Sequence, residues 1–255
     1  MFTNRKLTWV VVVGVAAAMA FALAACGDFK EDASVSASCE TFDEFTSYRY
    51  SISVKMQLPG LQPGAAAPAL GTYADSLAAL LSDFKIDGAY VAPDRRQALL
   101  DFQGAQVELR EVAGQRWERL GGDWAPLAEG APTIDDLSPQ QVCTDLVQAL
   151  APGMVPSGGD DVDVFGVATR HYASDEADVA SLRDLLGLAE GTELPEQFSA
   201  EAWFASDGDW PVRLTMKSQA TDATGSAAVV EFLMELRDVN DSAISIDSPA
   251  PASGG

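Results

Sequence analysis

The chain has 255 residues and a formal net charge of −22, from 38 acidic residues against 16 basic ones. Its length is enough for one large domain or two small ones. A surface this acidic repels nucleic acids and anionic lipid headgroups. We therefore expect that neither is bound through electrostatic attraction.

Residues 1–25 have the pattern of an export signal. Arg5 and Lys6 give a positively charged start, and an uncharged apolar run follows over 9–24. This order is typical of a secretory signal peptide. We therefore predict that residues 1–25 are removed. A plain signal peptide, or an N-terminal membrane helix with an incidental Cys, is the alternative.

The end of this segment resembles a bacterial lipobox. Leu23-Ala24-Ala25-Cys26 has a Leu, two small residues and then the Cys that receives a diacylglyceryl group in such sequences. Two or more acyl chains give stable anchoring where a single chain is marginal. We expect lipid attachment at Cys26, a flexible tether over 26–38, and a protein held on the outer face of the cell membrane or on a periplasmic face.

With Cys26 acylated, Cys39 and Cys143 remain as an even pair in an exported chain. Free thiols are uncommon outside the cytoplasm, so we predict a disulfide between them. Two separate buried thiols are the alternative. A loop of this size corresponds to about 4–5 kcal/mol in the chain-entropy model.

The segment 47–58 (SYRYSISVKMQL) alternates apolar and polar residues throughout. Period-two alternation predicts a β-strand with one apolar and one wet face. Ordinary strands have about 5–6 residues, so this strand is unusually long. Its apolar side carries Tyr48, Tyr50, Ile52, Val54 and Met56.

The other predicted elements follow in chain order. Helical spacing or a helix start occurs at 39–46, 73–84, 138–150 and 176–188, and Ser138 and Pro139 are a good N-cap and first helical residue. Turn residues separate eight further strands, which predicts a largely antiparallel sheet: 84–92, 96–103, 105–113, 115–120, 162–175, 199–206, 210–219 and 226–237. We expect a disordered tail over 249–255.

Candidate catalytic residues are few. The single His, His171, lies in a predicted strand, and the sequence has no GxSxG elbow to supply a nucleophile. The acidic turn 156–161 and Asp163 lack the spacing and distal Glu of an EF-hand. We expect no enzyme activity, no cofactor and no metal, and a structural role for His171.

Together these features resemble the LolA-like lipoproteins, which include the actinobacterial LppX and LprG lipid carriers. The residues that carry the resemblance are the lipobox, the long first strand after a short helix, and three further segments: RWERLGGDW (116–124), WFASDGDWPVRLTMKS (203–218) and LRDVNDSAISIDSP (236–249). The resemblance covers about 39–248, which we expect to form a single domain.

The resemblance implies an α+β fold: a strongly curved, mainly antiparallel sheet, an unclosed half-barrel, with a few helices packed on its concave side. It also implies that an acyl chain of a lipid, glycolipid or lipoprotein lies in an apolar cavity of a monomer. The lining residues would then be Tyr48, Tyr50, Ile52, Val54, Met56, Leu214, Met216, Val230, Phe232 and Met234. The alternative hypothesis is a scaffold or sensor lipoprotein with a filled core that binds another envelope protein.

Overall fold

A computed structural model describes residues 37–57, 83–102, 104–128, 134, 138–150, 154–157, 161–174, 198–221 and 227–249 of the chain. The predicted signal peptide, the acylation site at Cys26 and the predicted helix over 176–188 lie outside these residues. So do all but the last two residues of the predicted helix over 73–84.

The described residues form twelve strands and two helices. The helices are η1, a 3₁₀ helix over Ala37–Glu44, and α1 over Pro139–Leu150. The strands are β1 (Ser47–Gln57), β2 (Asp83–Val91), β3 (Arg95–Phe102), β4 (Ala105–Val112), β5 (Gln115–Arg119), β6 (Ala125–Pro126), β7 (Val155–Pro156), β8 (Val162–Val164), β9 (Val167–Ser174), β10 (Phe198–Ala205), β11 (Pro211–Thr221) and β12 (Ala227–Arg237).

All twelve strands belong to one antiparallel sheet, with the order β6-β5-β4-β3-β2-β1-β12-β11-β10-β9-β7 and with β8 also paired to β9. The first and last strands of this order are not paired with each other, so the sheet is unclosed. The long first strand, β1, pairs with the last strand, β12, near the middle of the order. The first and last strands of the described chain therefore lie side by side in the middle of the sheet.

The predicted fold class is wrong in its helical part. A few helices on a concave side of the sheet are not found in the described residues, which are mainly antiparallel strand with one α-helix and one 3₁₀ helix. At the end of the predicted helix 73–84, residues 83 and 84 begin β2 instead. Phe84 fits the strand because it pairs with Val54 on one side and with Phe102 on the other, where it is buried.

One predicted strand, 162–175, is a hairpin. β8 ends at Val164, β9 begins at Val167, and the turn residues Phe165 and Gly166 have φ of 56° and 82°. Positive φ at both central residues is typical of a tight hairpin turn, but a Phe in the first position is unusual there. The sequence therefore lacked the Asn or Asp that commonly marks such a turn. The other predicted strands are confirmed to within two residues.

The two faces of the sheet differ in what covers them. We call the face that carries Tyr50, Ile52 and Val54 the inner face; its buried side chains form the main hydrophobic cluster together with residues of η1 and α1. On the opposite, outer face, Ile244 and Ile246 of the segment after β12 pack against β2 and β4. The main apolar core therefore lies against the inner face.

Candidate functional site

The strands place the ten predicted lining residues on one face. In the register of β1 with β12, Tyr50 lies opposite Leu236, and Ile52, Val54 and Met56 lie opposite Met234, Phe232 and Val230. In the register of β11 with β12, Leu214 lies opposite Met234 and Met216 opposite Phe232. Because directly opposed residues point to the same side of a sheet, these residues form continuous apolar rows on the inner face.

Burial within these rows is uneven. Most of the predicted lining residues are buried: Tyr48, Tyr50, Ile52, Leu214, Met216, Val230 and Met234. Val54 and Phe232, which oppose each other, are only partly buried although they pack against the same cluster. Met56 continues the row by its register with Val230, and its side chain lies outside the described part. Among the predicted lining residues whose burial is described, Val54 and Phe232 are therefore the most accessible.

The two ends of the sheet also differ. We call the Ser47 end the one formed by the strand termini Ser47, Val91, Arg95, Ala205, Pro211 and Arg237, and the Gln57 end the one formed by Gln57, Asp83, Phe102, Ser174, Phe198, Thr221 and Ala227. Tyr48 lies near the Ser47 end. Val54 and Phe232 lie nearer the Gln57 end.

Aromatic rings occupy the inner face at the Ser47 end. The ring centroid of Phe45 lies 6.0 Å from that of Tyr48 and 6.0 Å from that of Trp210, in edge-to-face contacts. Phe42 contacts both Phe45 and Tyr48 at 5.6 Å, and Tyr48 lies 5.1 Å from Tyr90. We call these five residues the aromatic cluster. Such pairs contribute about 0.5–1.5 kcal/mol each beyond their buried area, so this end is firmly packed.

A disulfide fixes the elements behind the aromatic cluster. Cys39 of η1 is bonded to Cys143 of α1, with their Cα atoms 5.8 Å apart and both residues almost fully buried. The start of α1 has the predicted cap, because the Gln141 amide donates to Ser138 Oγ over 3.2 Å. The packing of the Ser47 end therefore includes a covalent link between two segments separated by 104 residues.

Several inner-face residues were missed by the sequence analysis. Phe84 and Phe102 stack with ring centroids 4.9 Å apart, and Ile86 and Leu100 continue their strands as buried neighbours. Period-two spacing of Phe84 with Ile86 and of Leu100 with Phe102 is the signal that could have found them. The apolar surface consequently extends from β11 across β12, β1 and β2 to β3.

The outer face carries ion pairs and His171. Arg213 forms an ion pair with Glu235, with Nη2 and Oε1 2.7 Å apart. His171 Nε2 lies 3.1 Å from Glu201 Oε2, and its ring stacks on Trp203 with centroids 4.6 Å apart. Trp203 opposes Arg213 in the register of β10 with β11. His171 thus lies on the face away from the apolar rows.

Two acidic residues, at the end of the turn 156–161 and in β8, have protein partners. Asp161 accepts a hydrogen bond from Ser206 Oγ over 2.9 Å, and Asp163 accepts one from the Gly166 amide over 2.9 Å. In the described ranges, no three His, Cys, Asp or Glu side chains come together as a possible metal site. Nor do these ranges contain a helix with the length and apolar character needed to span a membrane.

One carboxyl group near the Gln57 end, that of Asp101, has a lowered pKa. The Gln106 side chain and then the Gly104 amide donate to Asp101, and these hydrogen bonds hold the pKa of its carboxyl group below the usual value. Asp101 is the next-to-last residue of β3, and its carboxylate stays charged in the neutral range and adds to the acidic surface.

Comparison with models of known protein families and with curated proteins gave no match. Among solved structures, the chain is similar to LprF from Mycobacterium bovis, with 13% identity, a TM-score of 0.46, and coverage of 88% of this chain and 100% of that one. It is also similar to a chain in the complex structure of Pseudomonas aeruginosa MucA/MucB, with 14% identity, a TM-score of 0.32, and coverage of 80% and 57%. Likenesses at these TM-scores carry no statement about function.

Proposed function

We propose that this protein is an exported lipoprotein, anchored through Cys26, that binds and carries an acyl chain of a lipid or lipoprotein on the inner face of its sheet. The supporting observation is the cross-strand register. It aligns Ile52 with Met234 and Leu214, and Val54 with Phe232 and Met216, so that three neighbouring strands present one apolar surface.

The chemistry of this surface suits an acyl chain. Each methylene that leaves water for an apolar environment contributes about 0.8 kcal/mol, and the attraction needs no directional partner. Met216 and Met234 are unbranched and adaptable, so they can pack against a flexible chain in more than one arrangement. The charged pair of Arg213 and Glu235 lies on the other face. Affinity would therefore come from the acyl chain.

The acidic surface also favours an apolar ligand. At a net charge of −22, long-range electrostatics disfavours anionic headgroups. A ligand bound by its acyl chain, with its polar part left in water, avoids this repulsion. This reasoning supports neutral or zwitterionic lipids and lipid-modified proteins as the ligand class.

A second function has one observation in its favour. Leu214, Met234 and Val230 have at most 2% of their surface exposed in the chain alone. Protein atoms already cover them, as in an ordinary core. A filled core of this kind is sufficient for a scaffold or sensor lipoprotein that binds another envelope protein, because such a protein needs no space for a lipid.

Bound lipid separates the two functions. The protein is purified from membranes under mild conditions, and its mass is measured under native and then under denaturing conditions. A carrier should lose the mass of about one lipid per chain on denaturation, and organic extraction should recover that lipid. A scaffold with a filled core should show only the mass of the acylated chain, and this result would refute the proposed function.

A further inference from the structure

The β8–β9 hairpin carries an aromatic ring that is exposed at its tip. Phe165 has 48% of its surface exposed and a φ of 56°, a conformation that favours Gly, Asn or Asp over a bulky aromatic residue. Neither burial nor turn geometry therefore accounts for a Phe at this position. We propose that the hairpin inserts this ring into the phospholipid bilayer that carries the Cys26 anchor. This inference rests on the anchoring proposed above and adds which edge of the sheet faces the membrane.

The large apolar side chains that are exposed in the described part of the chain all lie at one edge of the sheet. Besides Phe165 they are Val162 of β8 and Val155 of β7, which are 44% and 61% exposed. Both valines pair with residues of β9 that alternate with His171, so all of these side chains are on the outer face. Exposed apolar side chains gathered in one place mark a surface that contacts a membrane or another molecule.

Two guanidinium groups flank the exposed ring. The Cζ atoms of Arg213 and Arg237 lie 5.0 and 5.1 Å from the ring centroid of Phe165. Arg213 donates hydrogen bonds to Glu235 through Nε and Nη2. Arg237 Nη2 lies 3.6 Å from the same carboxylate, which is longer than a hydrogen bond, and this side chain is 44% exposed. Arg237 can therefore donate to a lipid phosphate while the ring of Phe165 enters the bilayer.

The position of the hairpin fits a chain tethered at Cys26. Its tip lies at the Ser47 end, because Thr169 near the start of β9 pairs with Ala205. η1 leads into β1 at the same end, and its 8 residues span about 16 Å back to Ala37. From Ala37 to Cys26 the chain can reach at most about 40 Å. The acyl group and the hairpin tip can thus reach one bilayer, and the tether raises the effective concentration of the hairpin there.

Acidic groups near the hairpin determine which lipids suit it. Asp161 and Asp163 lie in and beside β8, Asp207 lies in the β10–β11 turn at the same end, and all three are exposed. These carboxylates repel anionic headgroups. A zwitterionic bilayer offers phosphate oxygens to Arg237 without a net negative charge. The hairpin should therefore contact phosphatidylcholine more closely than a bilayer that also contains phosphatidylglycerol.

A fluorescent label at single positions tests the contact. Phe165→Cys is labelled with bimane in the acylated chain, and the chain is reconstituted in phosphatidylcholine vesicles that carry nitroxides on their acyl chains. Nitroxides quench bimane only at close range. Gly122→Cys is the matched control, because this residue lies in the β5–β6 turn at the opposite edge of the sheet and an added Cβ has only one backbone oxygen nearby, 4.0 Å away. Val162→Cys supplies a second hairpin position if Phe165→Cys does not fold.

The expected result is several-fold stronger quenching at the hairpin positions than at the control position, and weaker quenching at the hairpin when phosphatidylglycerol is included. Equal quenching at the hairpin and control positions of a vesicle-bound chain would overturn the hairpin contact and leave the anchor standing. Stronger quenching with phosphatidylglycerol would overturn the assignment to a zwitterionic bilayer. A chain that carries no acyl group and does not sediment with the vesicles would overturn this inference and the proposed anchoring together.

Discussion

The ring of Tyr50 on β1 lies directly against Gly88, the residue opposite it on β2. A Cβ atom added at Gly88 would overlap the Cζ and Cε1 atoms of that ring. Glycine in the middle of a strand usually weakens it, but here its lack of a side chain makes room for a buried aromatic ring on the inner face.

Gly88→Ala should therefore destabilise the protein by about 1–3 kcal/mol, the usual cost of overpacking a core. In a Tyr50→Val background the same substitution should cost much less, because the ring is gone. Urea unfolding of the wild type, both single variants and the double variant gives the coupling energy. Gly122→Ala is the control, since an added Cβ there has only one backbone oxygen nearby, 4.0 Å away. Equal costs of Gly88→Ala in both backgrounds would exclude the Tyr50 contact as the cause.

Removal of the disulfide should lower the free energy of unfolding by about 2–5 kcal/mol. Cys39 and Cys143 are both buried, so we would replace them with Ala, which puts no polar side chain into the core. Urea unfolding without reductant compares the double variant with the wild type. Peptide mapping of protein isolated from its native compartment should find the two residues linked, and two alkylatable thiols there would contradict the pairing.

Acylation of Cys26 should control where the protein resides. The Cys26→Ala chain should fail to incorporate a labelled lipid precursor and should either leave the membrane fraction or persist as the longer precursor. Cys39→Ala with Cys143→Ala serves as the control, because loss of these thiols should leave labelling unchanged. A Cys26→Ala chain that is processed and fractionates as the wild type does would show that the lipobox interpretation is wrong.

Two residues of β12 should separate stability from ligand binding. Met234 is fully buried, so Met234→Ala should cost about 2–5 kcal/mol, as large-to-small changes in a core do. Phe232 is two residues away on the same face but only partly buried, so Phe232→Ala should cost less stability and lose more bound lipid. Thermal unfolding and lipid extraction on both variants test this. A larger stability loss for Phe232→Ala with unchanged lipid content would contradict it.

Local pattern predicted much of the sheet. Alternation over 47–58 predicted both the strand and its apolar side, because period-two spacing carries this information within a few residues. Ser138 predicted the start of α1 for the same reason: its hydroxyl caps an amide only three residues away. Features that depend on residues close together in the sequence could therefore be predicted.

Features that depend on residues distant in the sequence could not be predicted. Nothing in β1 indicates that β12 will be its neighbour, although this pairing brings Ile52 opposite Met234 and so defines the candidate site. The role of Gly88 depends on a ring 38 residues earlier in the chain and could not be inferred from its own strand. The resemblance suggested several helices on the sheet, but the residues at the end of one predicted helix pair as β2, where cross-strand contacts of Phe84 outweigh local helical spacing.

The lipid content of two matched variants tests the carrier function most directly. Val54→Asp places a carboxylate on the inner face in a partly buried row, whereas Ser53→Asp places the same group one residue away on the outer face. An unpaired charge beside an acyl chain is strongly unfavourable. With folding verified by circular dichroism, native mass spectrometry should find about one lipid per chain in the wild type and in Ser53→Asp and none in Val54→Asp. A wild type without lipid, or a folded Val54→Asp variant that retains as much as Ser53→Asp, would contradict the account.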